Sequence, residues 1–180
     1  MDAHKTRDIC VEMNFCRRCG TALHQQQGGY VCEQGHVLYG NSTPATALML
    51  LNEKGEVLIT TRAINPGKGM LDLPGGFCSG GESFEEAIAR EIQEELGLAE
   101  EDYTAPVYFG SRVEGYHYKG ETLPVLVVHF VATVHAADKV VAADEIESYR
   151  WIPLSSPELD TMYFAADRFF LKQLQTKRSV

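Results

Sequence analysis

Between Gly76 and Leu98 the chain reads GFCSGGESFEEAIAREIQEELGL, a stretch that few folds can accommodate. Glu91, Glu94 and Glu95 are spaced i, i+3, i+4. On an α-helix, at about 100° per residue, that spacing crowds three carboxylates onto one side. Like charges so placed destabilise a helix by about 0.2–0.5 kcal/mol per pair. A divalent cation turns the repulsion into binding. Hard oxygen ligands suit Mg²⁺ or Mn²⁺, and protein-bound Mg²⁺ usually carries substrate phosphates on its free positions. The helix ends are written in the same stretch. Ser83 with Glu86 forms a capping-box signature, and Gly97 suits the left-handed residue that closes a helix. Phe84, Ile88, Ile92 and Leu96 form an apolar stripe that can pack on a sheet. Leu73-Pro74-Gly75-Gly76 reads as a short strand running into a loop, and Gly80-Gly81 lets that loop turn back. The expectation is a loop–helix–loop with its acids facing a pocket. A solvated acidic helix face is the plainer alternative, but it explains neither the glycines nor Arg90.

The segment resembles the Nudix box, the signature of the Nudix hydrolases: G-x5-E-x7-R-E-U-x-E-E-x-G-U, with U a bulky aliphatic. Gly76, Glu82, Arg90, Glu91, Ile92, Glu94, Glu95, Gly97 and Leu98 fill every specified position. The resemblance implies an α+β fold, a Nudix-type α/β/α sandwich with a mixed sheet, over roughly residues 44–175. It also implies roles. Glu94 and Glu95 would be the core ligands of Mg²⁺ (or Mn²⁺). Glu91 would be a further ligand or help deprotonate water. Glu82 would assist through metal-bound water, and the Gly76 carbonyl would complete the shell. Arg90 would orient the glutamates by charge-assisted hydrogen bonds. Some family members keep the base on a loop before a late strand. Asp144, Glu145 and Glu147 occupy such a region, and Glu145 is the choice here, against the plainer reading of a surface acid.

A second constellation lies upstream. Cys16-Arg17-Arg18-Cys19-Gly20 is a CxxC knuckle, followed by Cys32 and His36. Three thiolates and an imidazole suit a closed tetrahedral Zn²⁺ site. Residues 1–40 hold few hydrophobic residues, so a bound metal could supply the folding free energy that a core cannot. A CxxC redox pair usually opens a helix in a βαβ unit, which is absent here; unrelated free cysteines are the other alternative. The segment resembles the zinc ribbon preceding some Nudix domains, notably in NADH pyrophosphatases, where the ligands are typically four cysteines. Here His36 would be the fourth ligand, with His24 competing. Cys10 is expected in an N-terminal arm, and Cys78 as a small filler in the box loop. The expected division is an arm and zinc ribbon over 1–40 and a Nudix domain over 41–180.

Strands are expected at Ala45–Leu51 and Val57–Arg62 around a hairpin signal, then at Pro106–Val113 and Leu123–Val134. The last two would be linked through Glu114–Gly120. Val140–Ala143 and Glu147–Ile152 read as further strands, and Ala165–Gln175 as a helix with Phe169, Phe170 and Leu174 in its pattern. The net charge of −9 argues against generic nucleic-acid or anionic-membrane binding. No stretch approaches a transmembrane length. The opening MDAHKTRDICVEMN lacks a signal-peptide core, so a cytoplasmic location is expected.

The reaction that the resemblance implies is hydrolysis of a phosphoanhydride in a nucleoside diphosphate linked to another group: ADP-ribose, NADH, FAD, a dinucleoside polyphosphate or an NTP. The partner would be a small nucleotide, with a homodimer also admitted. Arg62 or Lys68 could hold a phosphate, or simply sit in a surface ion pair. Tyr116 or Tyr118 could stack on a base, or pack as a pair on a hairpin. Phe164 could line the base pocket or belong to the core. NADH pyrophosphatases carry a glutamine-, proline- and tryptophan-containing motif after the box, and Ala105–Leu123 has nothing like it. Val113 stands where many ADP-ribose pyrophosphatases have proline. The sequence therefore leaves the substrate open. A regulatory Nudix module without turnover and a zinc-ribbon adaptor are the competing classes; the complete set of box acids argues against the first, and the lone basic cluster Arg17-Arg18 against the second.

Overall fold

The computed structural model describes residues 13–26 and 29–178, so Cys10 and the N-terminal arm lie outside the described residues. The chain divides into two compact units. One comprises the described part of Met1–Thr43 with Gly115–Val125; the other comprises Pro44–Glu114 and Leu126–Val180. Residues 115–125 thus cluster with the N-terminal segment, whereas the sequence reading assigns them to the second domain.

In the first unit, strands β1 (Leu23–Gln26), β2 (Gly29–Cys32) and β3 (Val37–Leu38) form an antiparallel sheet in that order. One tight turn precedes β1 and another joins β2 to β3. Gly20 N–H donates to Cys16 O at 2.7 Å, and Gly35 N–H donates to Cys32 O at 2.8 Å. Both glycines have positive φ, at 73° and 74°, which costs a residue without a side chain nothing. The apolar residues gathered here are few: Cys16, Cys32 and Leu38 are buried, with Met13, Leu23 and Tyr30 against them.

The second unit is a sandwich. Its sheet runs β6 (Leu71–Asp72), β5 (Glu56–Arg62), β4 (Thr43–Leu51), β8 (Glu121–Thr133), β7 (Val107–Tyr118), and β9 (Ile146–Pro153) also pairs with β5; the hairpin end of β7 and β8, residues 115–125, belongs to the first unit. The pairs of β5 with β4, β6 and β9 are antiparallel. Val134 N–H reaches Leu51 O at 2.8 Å, which sets the C-terminal ends of β4 and β8 side by side and makes the sheet mixed. Alternation along β4 separates two cores. Leu48 and Leu50 face helix α1 (Phe84–Leu96), with Leu58, Ile88, Ile92 and Phe130. Ala47, Met49 and Leu51 face helix α2 (Ala165–Arg178), with Ile59, Phe170, Leu171 and Leu174. A strand buried on both faces reads as a continuous apolar run, as Ala47–Leu51 does. Each fully buried leucine or isoleucine contributes about 1.5–3 kcal/mol over its exposed state.

Several sequence expectations need correction. The strands around 114–120 run further than expected and meet in a two-residue turn at Lys119-Gly120, with φ of 50° and 84°. Left-handed values at both positions match the twist of a hairpin. Val140–Ala143 is not a strand. Its Val141 and Ala143 N–H groups donate to Leu96 O (3.1 Å) and Glu95 O (3.0 Å), satisfying orphan carbonyls at the end of α1. The short strand before the box is Leu71–Asp72, two residues earlier than expected. Phe169 is 39% exposed, and Leu171 takes the core position instead. No helix of the described residues is long and apolar enough to cross a membrane.

Candidate active site

Local sequence builds α1 from both ends. Ser83 accepts from Glu86 N–H while the Glu86 carboxylate accepts from Ser83 N–H, and Gly97 closes the helix at φ 67°. Ile88, Ile92 and Leu96 are buried against the sheet, which fixes the helix's rotation. The face carrying Glu91, Glu94 and Glu95 then turns toward the loop Leu73–Ser79. Three of the loop's backbone groups bond β4: Leu48 N–H to Pro74 O (2.9 Å), Thr46 N–H to Gly76 O (2.8 Å), and Cys78 N–H to Pro44 O (3.1 Å).

Arg90 holds the acids together. Its Nε and Nη2 donate to the two oxygens of Glu82 at 2.7 and 3.1 Å, and Nη1 donates to Glu91 and Glu94, both at 2.9 Å. Nη2 also donates to Phe77 O at 3.0 Å. Glu82 additionally accepts Ser79 N–H at 2.8 Å. The arginine, then the Ser79 amide, hold the Glu82 carboxyl down at about 2.

Glu95 differs. It is 6% exposed, and one oxygen accepts Gly75 N–H at 2.9 Å. Burial pushes its carboxyl up to about 8, against the Gly75 bond and with further push from Glu91, Asp72 and Glu145. Burial also raises Glu91, with Arg90 opposing and Glu94 and Glu145 adding. Glu145 is exposed, its carbonyl accepts Ala63 N–H at 2.8 Å, and its charge bears on both half-buried Glu91 and buried Glu95. Gly76 provides the approach: a Cβ there would stand 2.5 Å from Glu91 Oε1. Hard carboxylate oxygens packed against bare backbone, with net negative charge, fit a Mg²⁺-like ion. Cys78 is half-buried beside this group, and burial raises its thiol, as expected of an inert filler.

In the first unit, Cys16, Cys19, Cys32 and His36 bring their ligand atoms within 4.8 Å of one another. Cys19 Sγ and Cys32 Sγ are 3.6 Å apart, as are Cys16 Sγ and His36 Nδ1. A disulfide needs about 2.05 Å between sulfurs. Two sulfurs at tetrahedral corners about 2.3 Å from one metal ion lie about 3.7 Å apart. The residues therefore fit a tetrahedral metal. The Thr21 hydroxyl 3.1 Å away, with the Thr21 backbone, lowers the Cys19 thiol to about 6, favouring the thiolate that ligates. His24 is exposed on β1 opposite Val31 and stands outside the cluster.

The expected substrate contacts are placed as follows. Arg62 Nη1 is ion-paired with Asp72, its Nε donates to Pro66 O at 2.6 Å, and its guanidinium lies over the Phe164 ring at 5.5 Å. Phe164 also packs edge-on to Tyr163 at 4.8 Å. Lys68 is exposed. Tyr116 and Tyr118 stand 6.3 Å apart as an i, i+2 pair on β7, in the first unit.

Sequence reasoning missed a buried polar group in the second unit. His129 Nε2 and Asp167 Oδ1 are 2.7 Å apart, and Asp167 neighbours Asp72. Asp167 lies beside Arg168, but the other two sit alone in apolar runs, Leu71-Asp72-Leu73 and Val128-His129-Phe130. A lone ionisable residue inside such a run was the available signal.

The fold and the acid cluster on α1 define a class, and comparison with known proteins names it. The NUDIX domain model matches residues 41–173, so the chain belongs to the Nudix family. It is 28% identical over 145 residues to the NAD-capped RNA hydrolase NudC of Stutzerimonas stutzeri, covering 79% of this chain and 49% of that protein. It is 50% identical over 56 residues to the ADP-ribose pyrophosphatase of Methanocaldococcus jannaschii, covering 31% of this chain and 33% of that one. The chain thus spans half or less of the length of these relatives. The NUDIX hydrolase structure from Nitrosomonas europaea superposes with a TM-score of 0.67 at 22% identity, covering 93% of both chains, and shows the shared fold.

Proposed function

We propose that this chain is a Mg²⁺-dependent hydrolase that cleaves the phosphoanhydride of a nucleoside diphosphate joined to a second group. One observation carries the reading. Glu95 is buried, and the side-chain charges bearing on it, Glu91, Asp72 and Glu145, are all negative. A buried acid among other acids marks a functional site rather than a stabilising contact. Glu91, Glu94, Glu95 and the Gly76 carbonyl would hold the ion. When bound, it neutralises phosphate charge and makes water a nucleophile at neutral pH. The chain's own groups do the remaining work. Arg90 keeps Glu82, Glu91 and Glu94 converged, and Glu145, exposed and with its charge bearing on Glu91 and Glu95, would take a proton from the attacking water. Phe164 with Arg62 would line the nucleoside side of the pocket, and Tyr116 and Tyr118 are offered as base-stacking groups. Zn²⁺ on Cys16, Cys19, Cys32 and His36 would fasten the N-terminal segment, within a division into 1–40 and 41–180. The substrate is read as a small nucleotide and the compartment as the cytoplasm.

Phosphate release, coupled to a phosphatase, across NADH, NAD⁺, ADP-ribose, FAD, dinucleoside polyphosphates, NAD-capped RNA and NTPs tests this with Mg²⁺ or Mn²⁺. Turnover of one class, dependent on metal and lost in Glu94→Gln, is the expected result. Nucleotide binding without turnover across the whole panel would replace the hydrolase with a sensing module.

A further inference from the structure

Four ionisable side chains lie together outside the acid cluster of the box. Arg62 on β5 pairs with Asp72 on β6; Asp72 neighbours Asp167 in the first turn of α2; Asp167 is 2.7 Å from His129 on β8. Their burial is close to complete: His129 is 0% exposed, Asp167 3% and Asp72 7%. Burying such groups is costly, and apolar replacements of similar shape often leave a protein as stable or more so. Stability alone therefore does not account for them.

The cluster keeps itself nearly neutral. Burial raises both carboxyls, Asp167 to about 7; Asp167 adds to the rise at Asp72, whereas at Asp167 the hydrogen bond with Asp72 lowers it and Glu114 raises it. Two carboxylates this close retain one proton between them at neutral pH. That proton also explains Asp167 Oδ2, which is buried and otherwise has no hydrogen-bond partner. His129 is held neutral, its pKa lowered to about 4 by burial. Arg62 then balances the single negative charge.

What the cluster grips is the entrance to the box loop. Asp72 Oδ1 accepts Leu73 N–H at 2.9 Å. Three residues after Asp72, Gly75 donates its N–H to Glu95 at 2.9 Å. Between them, Pro74 O is bonded by Leu48 N–H at 2.9 Å. Gly75 also fits tightly on β4, since a Cβ there would lie 2.3 Å from Thr46 O. The path from Asp72 to Glu95 is thus three residues of backbone, each tethered by a hydrogen bond. We propose that Asp167, braced by His129, is a positioning residue: it fixes Asp72, and through the tethered 72–75 backbone it fixes the amide that orients Glu95. This rests on the reading of Glu95 as a metal ligand. Partners that orient a metal ligand typically alter affinity by about 10–100-fold when removed.

The test is Mn²⁺ binding to the full chain without substrate, followed by the electron-paramagnetic signal of the free ion, alongside thermal unfolding. Asp167→Leu is compared with Asp167→Asn, whose amide can donate to Asp72 in place of the shared proton. Asp167→Leu is expected to weaken Mn²⁺ about tenfold with the metal-free melting temperature kept or raised, and Asp167→Asn to bind near the wild-type level. Should Asp167→Leu not fold, Asp167→Ala takes its place with the same expectation. Unchanged Mn²⁺ affinity in a folded Asp167→Leu overturns the proposal. So does an equal weakening in both variants that tracks lost melting temperature, the mark of a purely structural residue. If wild type itself does not bind Mn²⁺, Glu95 is not a metal ligand, and the failure belongs to the proposed function.

Discussion

Glu82 and Arg90, eight residues apart, are joined by two parallel hydrogen bonds, Nε to Oε1 at 2.7 Å and Nη2 to Oε2 at 3.1 Å. The pair ties the box loop to the helix, and the same guanidinium reaches Glu91, Glu94 and the Phe77 carbonyl. Five bonds from one planar group are beyond a lysine, whose ammonium has three donors and no fork. Arg90→Lys is expected to keep the fold with a loss of about 1 kcal/mol, measured by denaturant unfolding. Turnover is expected to fall about 10–100-fold, because the acids lose their common anchor. Turnover at the wild-type level would show that the acids hold their places without the fork.

Glu95→Gln separates the metal site from the fold. Glu95 gains a proton on folding: its carboxyl is raised to about 8, against an unfolded value near 4.3. A raised folded pKa means stability that is complete below about pH 4 and lost as pH climbs through about 8. The stability of metal-free wild type relative to Glu95→Gln is therefore expected to decline between about pH 4 and pH 8. Added Mg²⁺ restores wild type but not the variant, since the ion binds the deprotonated acid. Turnover in Glu95→Gln is expected to drop at least about 100-fold. Melting curves at several pH values, with and without Mg²⁺, check the first two outcomes. A wild-type to variant difference independent of pH would mean that Glu95 folds in its ionised form.

How much of this was legible in the sequence depends on how local each signal is. Helix α1 carries its own instructions in Ser83, Glu86 and Gly97, and these form the caps they predict. The Cys/His cluster is legible because each knuckle is a short turn whose spacing sets its geometry. The Lys119-Gly120 turn was hidden because lysine at φ 50° is an uncommon choice for a left-handed position. Val140–Ala143 has strand composition, but its amides serve the end of α1, a tertiary role that no local pattern announces. The cluster of Asp72, His129 and Asp167 lies further still from sequence logic. Its members come from two strands and a helix, and only the folded sheet brings them together.

The Cys/His cluster predicts a protein that leaves purification with stoichiometric zinc by elemental analysis. Cys32→Ser removes a buried ligand between β2 and the second turn. It is expected to abolish zinc retention and to disorder the β1–β3 sheet, because the apolar cluster there is too small to hold it. Amide exchange across residues 13–38 reports the loss. Residues 115–125 belong to the same compact unit as this segment, which extends the expectation to faster exchange at the Lys119-Gly120 turn. A Cys32→Ser protein that is zinc-free yet fully protected in 13–38 would show that the sheet needs no metal.

Two adjacent glycines should fail in opposite ways. Gly75 has φ 143°, and a Cβ there would meet backbone, Thr46 O at 2.3 Å and the Ala47 Cα at 2.8 Å. Backbone of a central strand cannot yield, and the conformation itself is foreign to L-residues. Gly75→Ala is expected to cost about 2–4 kcal/mol and to lower the melting temperature with or without metal. At Gly76 the nearest atoms to an added Cβ are those of the Glu91 carboxylate, 2.5 Å away, the far end of a side chain that can swing aside. Gly76→Ala should therefore fold with a loss below about 1 kcal/mol, yet bind Mn²⁺ about tenfold more weakly or worse, since Glu91 has been pushed from its place. Measuring unfolding free energy and Mn²⁺ affinity for the two variants side by side resolves the contrast. Equal stability losses at both positions would mean that the loop is held by its backbone throughout and that Gly76 is not specifically an approach for the carboxylate.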